Sequence, residues 1–321
     1  MHEALNMALR EEMARDERVV VLGEEVAQYN GVHYVTRGLF DEFGGDRVID
    51  TPISEESFVG MGVGMATMGQ RPVVELMRID FGLRAMDQIY NHMAKIRYMS
   101  GGRLSVPMVL RGPEGPGPNS GLTAQHGQQL TVLFAHCPGL RVVSPSNQYD
   151  AKGMLKSAIR SDDPVVFLEP GPLNNKQGDV DDSEYLVPID KADIKRPGDD
   201  VTLVGYGAST ALCLEAAREL ERDGISAEVV DMRCLRPIDM GPALASLKKT
   251  NRAVVADYAW QSYGPSAEIV TRLSTDGFWD LETPVRRVCG KETPLPYAAN
   301  LEELSKPNVD EIIAAAKATL S

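Results

Sequence analysis

Apolar positions along the chain fall into two alternating rhythms. Short continuous runs rich in Val, Ile and Leu recur at 18–24 (RVVVLGE), 47–52 (RVIDTP), 72–77 (PVVELM), 106–112 (VPMVLRG), 140–146 (LRVVSPS) and 164–169 (PVVFLE). Segments with helical spacing separate them at 54–68, 82–99, 125–136 and 149–161, and the opening MHEALNMALREEMARD has the pattern of an amphipathic helix. A strand that is apolar on both faces must be covered on both faces, so this alternation predicts a parallel sheet between helices, joined by right-handed crossovers. The rhythm stops at 170–198, a polar stretch with Pro and Gly that reads as a linker. It then resumes with strands at 200–207, 226–233, 252–258 and 284–290 and helices at 208–223, 240–250, 265–274 and 308–320. The predicted fold is α/β, with two domains that are each a mainly parallel sheet flanked by helices. Their limits are set at 1–185 and 199–321, with a linker at 186–198.

Composition narrows the function classes. The 321 residues carry a net charge of −13 with no basic block, which disfavours nucleic acid and anionic membrane as partners. No apolar run approaches the roughly 18 residues of a membrane span. The four cysteines, Cys137, Cys213, Cys234 and Cys289, form no C-x-x-C, so neither a disulfide framework nor a zinc site is expected. The acidic first helix matches neither a signal nor a transit peptide. The expected location is the cytoplasm, or the mitochondrial matrix if a transit peptide has been removed.

Three stretches could carry chemistry. In ISEESF (53–58), Ser54 is placed to cap a helix whose first turn holds Glu55 and Glu56. Helical spacing puts Glu55 at the head of the apolar stripe Phe58, Val59, Gly62 and Ala66, and puts Glu56 on the face of Gly60, Gly64 and Thr67. Three glycines at about 1 kcal/mol each are costly inside a helix. Close approach of another helix, perhaps at a subunit interface, would account for them. The second stretch, RGPEGPGPNSGLTAQHGQ (111–128), is a Pro- and Gly-rich loop leaving a strand end, where open α/β sheets bind ligands. His126 lies at the start of the next predicted helix, with structural and catalytic roles equally open. In the third stretch, Phe81 stands at another strand-to-helix junction, as core residue or ligand contact. No P-loop, dinucleotide fingerprint, metal-ligand spacing or nucleophile elbow is present. The residues alone stop short of naming a reaction.

Taken together, VLGEEVAQYNG, DTPISE, DQIYNHMAKIRYMSGG, AQHGQ, HCPGLRVVSPSNQYDAKGMLKSAIRSDDPV and TPLPYA resemble the beta subunits of thiamine-diphosphate-dependent 2-oxo acid dehydrogenases, over essentially the whole chain. The resemblance implies a pyrimidine-binding domain followed by a transketolase C-terminal-type domain. It implies oxidative decarboxylation of a 2-oxo acid with acyl transfer to lipoamide. Pyruvate is the leading substrate; acetoin and branched-chain 2-oxo acids are alternatives, and a non-catalytic scaffold is an alternative of another class. Glu55 matches the carboxylate that contacts N1′ of the cofactor's aminopyrimidine, Phe81 the aromatic packed on that ring, and Met77 and Ile53 neighbouring contacts. His126 matches a histidine that assists acyl transfer to the lipoyl arm. Met108, Ala158, Ser161 and Asp163 match carbonyl ligands of a potassium ion. The chain lacks the G-D-G motif of the diphosphate half. The resemblance therefore implies an α2β2 heterotetramer with thiamine diphosphate shared between subunits, magnesium on the alpha subunit, and docking to a dihydrolipoyl acyltransferase core and its lipoyl domain. The 113–120 loop, PEGPGPNS, is longer and richer in Pro than is usual in the family.

Overall fold

The structure, a computed structural model, describes residues 1–117 and 121–321. The end of the PEGPGPNS loop, at 118–120, lies outside the described residues. The chain forms two compact units. One comprises 1–114, 133–169 and 173–189; the other comprises 115–132, 170–172 and 190–321.

In the first unit, strands β1 (Val19–Gly23), β2 (Val48–Asp50), β3 (Arg71–Glu75), β4 (Val109–Glu114), β5 (Arg141–Val143) and β6 (Val165–Pro170) lie in the order β5-β6-β4-β3-β1-β2. The pairs β1–β2, β1–β3, β3–β4 and β5–β6 are parallel. β1, β4 and β6 are buried along their whole length, as their uninterrupted apolar runs require. The His2–Arg15 helix packs on the Gln148–Arg160 helix. Charge complements the apolar contact there: buried Glu12 takes a two-pronged bond from Arg160, at 2.6 and 3.0 Å, and Lys152 and Lys156 reach Glu11.

Two helix expectations are corrected. The segment expected as one helix at 82–99 is a 3₁₀ turn at Ile79–Ala85, a π-helical turn at Gln88–Met93 and a short α-turn at Ile96–Met99. Its buried positions explain the change. Ile79, Gly82 and Ala85 are spaced by three, which suits 3₁₀ winding, and Ala85, Ile89 and Met93 are then spaced by four, so the chain overwinds and afterwards widens. The segment expected as a helix at 125–136 is two pieces, Thr123–His126 and Thr131–His136. His126 ends the first of these rather than starting a long helix.

The predicted linker is also more structured than its composition suggested. Tyr185 stacks on Tyr149, with ring centroids 4.2 Å apart, and Glu184 pairs with Lys156 and Arg160. Residues Asp193–Arg196 form strand β7, antiparallel to β9 (Ala227–Asp231). This edge strand is held by backbone bonds, and its sequence DIKR carries no apolar run to announce it.

The second unit also contains β8 (Val201–Gly205), a short β10 (Cys234–Arg236), β11 (Ala253–Trp260) and β12 (Arg286–Gly290), with sheet order β12-β11-β8-β9-β7. Its β8–β9, β8–β11 and β11–β12 pairs are parallel. Val201, Leu203, Cys213, Leu220, Val229, Val254 and Ile312 form its core. All four cysteines are free and buried. Among the described residues no helix is long and apolar enough to cross a membrane.

Candidate functional site

The register of the first sheet brings three strand ends to one level. Gly23 is paired with Asp50 of β2 on one side and with Glu75 of β3 on the other. The chain therefore leaves β1 into Glu24, β2 into Thr51–Glu55 and β3 into Leu76–Phe81 at the same edge. Gly23 is needed for this closeness, because a Cβ there would lie 2.5 Å from the Glu75 carbonyl oxygen. The loop after β1 is tied down by Asp50, whose carboxylate accepts from the Ala27 amide at 2.7 Å.

Glu55 is the first residue of the Glu55–Thr67 helix and is half-buried, whereas Glu56 is exposed. Phe58, Val59, Gly62, Val63 and Ala66 are the buried face of that helix, so Glu55 heads the stripe that its sequence spacing indicated. Ser54 occupies the cap position, but its side chain makes no capping bond; its carbonyl accepts from Ser57 and Phe58. The glycines have separate explanations. A Cβ on Gly62 would lie 2.6 Å from the Val74 side chain, so this glycine seats the helix on its own sheet. A Cβ on Gly60 would meet Gln88 at 3.2 Å, and one on Gly64 would meet nothing within 4 Å. The expected approach of another helix backbone is thus replaced at Gly62 by contact with a strand side chain.

Glu24 was not singled out in the sequence, although it lies in the VLGEEVAQYNG marker. It is buried at the end of β1, and its Oε1 finds no partner within the chain. Burial first, and then the charges of Glu55 and Glu25, raise its pKa above the ordinary glutamate value. The strand edge therefore presents two neighbouring carboxylates, one buried and one partly open. Beside them are apolar groups that the fold leaves uncovered: Ile53 is 83% exposed, and Met77 and Phe81 are half-buried. A carboxylate pair next to an uncovered apolar ledge suits a flat heterocycle with a hydrogen-bonding edge, which is what an aminopyrimidine offers. These residues fit the pyrimidine half of thiamine diphosphate.

The remaining candidates lie elsewhere. His126 belongs to the second unit and is exposed. The four carbonyls matched to potassium each accept one bond: Met108 from the Val165 amide, Ala158 from the Ser161 amide, Ser161 from the Arg71 guanidinium, and Asp163 from the Ser161 hydroxyl. Arg71 also reaches the Ile159 carbonyl at 3.0 Å and the Asp162 carboxylate. Cationic charge already sits at this helix end, where the last carbonyls are electronegative. Each carbonyl keeps a second lone pair, which fits a monovalent ion added to the Arg71 contacts rather than replacing them.

Comparison with known proteins agrees with the geometry. Residues 1–176 match the family model of the transketolase pyrimidine-binding domain, and residues 190–312 match that of the transketolase C-terminal domain. The chain is 48% identical over 321 residues to the mitochondrial pyruvate dehydrogenase E1 component subunit beta of Dictyostelium discoideum, covering 99% of this chain and 90% of that one. It is 45% identical over 326 residues to the human mitochondrial protein of the same description, covering 100% and 90%. Among solved structures, a split-gene transketolase described as an inactive beta4 tetramer superposes with a TM-score of 0.80 at 23% identity, covering 99% of this chain and 97% of that one. That likeness concerns the fold.

Proposed function

This chain belongs to the family of pyruvate dehydrogenase E1 component beta subunits, and we propose that it serves in oxidative decarboxylation of pyruvate and transfer of the acetyl group to lipoamide. The observation that carries the proposal is the convergence of Glu24, Glu55, Met77 and Phe81 on one edge of three adjacent strands. Pyruvate is favoured over acetoin and branched-chain acids by the descriptions of its full-length relatives.

When bound, thiamine diphosphate supplies the electron sink that decarboxylation of a 2-oxo acid requires. The chain's own residues would bind and orient its pyrimidine. Ile53, Met77 and Phe81 offer the apolar contacts. Glu55 accepts or gives a proton at the ring nitrogen, and the neighbouring Glu24 disfavours a second negative charge in the same place, so a proton on the pair is held more tightly. The missing G-D-G motif leaves the diphosphate and magnesium to an alpha subunit, and a complete site needs that partner. An α2β2 assembly docked to a dihydrolipoyl acyltransferase core follows from the same reading. There His126 would meet the lipoyl arm, and potassium would brace the end of the Gln148–Arg160 helix.

The test is Glu55→Gln in the complex reconstituted with an alpha subunit. Decarboxylation of pyruvate should fall by a factor on the order of a hundred or more while assembly persists. Turnover within a few-fold of the unmutated complex would refute the assignment.

A further inference from the structure

The ends of β3, β4 and β6 carry a buried polar cluster that the chemistry above does not use. Arg111, fully buried on β4, donates to Glu75 at the end of β3 and, at 2.5 Å, to Glu169 of β6. Over this triad lie His33, from the loop after β1, and His2, with ring centroids 5.6 Å apart. The Nε2 atoms of both histidines are buried and find no partner within the chain. Burial holds both imidazoles below the usual histidine range, His2 at about 4, so both are neutral near pH 7 and each carries a single N–H. For His33 the location of that proton follows. The Met77 backbone hydrogen-bonds this ring, and Nε2 is the nitrogen without a partner, so Nδ1 carries the proton and donates it to the Met77 carbonyl.

The Met77 backbone is a consequential place to hold. Residues 76–81 carry both Met77 and Phe81 from the end of β3 to the proposed pyrimidine edge. On the sheet side this segment is already fixed. The Leu76 amide donates to the Arg111 carbonyl at 2.8 Å, and Gly112 admits the Leu76 carbonyl where a Cβ would come within 2.6 Å. Farther along, buried Arg78 pairs with Asp80 at 3.2 Å. Met77 lies between these anchors, and His33 reaches it from the loop that follows Glu24.

We infer that His33 is a positioning residue for the pyrimidine face, acting through the Met77 carbonyl to set the height of Met77 and Phe81 at the strand end. The inference rests on the cofactor reading given above. It implies that the loop after β1 contributes twice to the site, once through Glu24 and once through His33.

The experiment uses His33→Ala and His33→Asn in the full chain, reconstituted with an alpha subunit. Thiamine diphosphate binding is read by calorimetry, and kcat and the KM for the cofactor by steady-state assay. His33→Ala should weaken cofactor binding about five- to tenfold, the size of one lost hydrogen bond, with a smaller loss of rate at saturating cofactor. His33→Asn keeps an N–H donor and should recover much of the affinity. Unfolding without cofactor reports whether either variant is merely unstable. Unchanged affinity in His33→Ala, or an asparagine variant as weak as the alanine one at equal stability, would overturn the inference. Failure of the unmutated complex to bind thiamine diphosphate would instead overturn the reading beneath it.

Discussion

Two buried carboxylates, one in each unit, stand in similar places and are treated differently. Asp257 lies in β11 of the second unit and Glu24 follows β1 of the first; burial raises the pKa of both. Asp257 is finished. It accepts from the Tyr206 hydroxyl at 2.6 Å and from the amides of Ala259 and Ser266 at 2.8 and 3.0 Å, so it ties a strand to the start of a helix. Glu24 is unfinished, with one oxygen unmatched and a second carboxylate as its neighbour. A protein that only needed to fold would favour the first arrangement, because an unmatched buried polar atom costs about 1–3 kcal/mol. The contrast locates chemistry in the first unit and structural support in the second.

Four substitutions test this contrast, beyond Glu55→Gln. The largest difference should separate Glu55 from its neighbour: Glu56→Gln, on an exposed side chain, should leave turnover of the reconstituted complex within about twofold, against a loss on the order of a hundredfold for Glu55→Gln. An equal loss from both would show that the wrong carboxylate had been chosen. Next, Asp257→Ala should lower unfolding stability by about 2–3 kcal/mol in urea titrations, because it strands the Tyr206 hydroxyl and two amides. Glu24→Gln strands nothing comparable and should cost activity rather than stability.

The same pair makes a statement about pH. A carboxyl whose folded pKa exceeds its unfolded value holds its proton more tightly when folded. Its contribution to stability is therefore complete below the unfolded value, 4.5 for Glu24, and is lost as pH rises through the raised folded pKa. Stability of the unmutated chain should decline across that window, and Glu24→Gln should flatten the decline. An unaltered slope in melts across that range would remove Glu24 from the account.

The smallest effects concern the helix that carries Glu55. Gly62→Ala should destabilise the chain by about 1–3 kcal/mol through overlap with Val74, whereas Gly64→Ala, facing open space, should stabilise the isolated chain by about 0.5–1 kcal/mol. If the Gly64 face meets another subunit, the second sign should reverse in the assembled complex. Thermal melts of the isolated and assembled forms read both.

Much of this was legible in advance for a definite reason. Parallel strands covered on both faces must be apolar throughout, so β1, β4 and β6 appear as runs, and the stripe behind Glu55 appears as helical spacing. Strand β7 was missed because an antiparallel edge strand is held by backbone bonds that composition does not record. The 3₁₀ and π turns at 79–93 were missed because their winding answers to what lies beneath Ile79, Gly82, Ala85, Ile89 and Met93.

The sequence by itself determined the alternation of strands and helices, the placement of Glu55 at the head of a buried stripe, and, through its motifs, the family. These are properties of neighbours along the chain. Tertiary structure alone decided that Glu24 would share an edge with Glu55, that His33 would reach the Met77 carbonyl, and that Gly62 would seat a helix on Val74. Those pairings depend on sheet register, which sets Gly23 level with Asp50 and Glu75 across strands far apart in sequence. Register is fixed by packing many residues at once and leaves no mark at any single position.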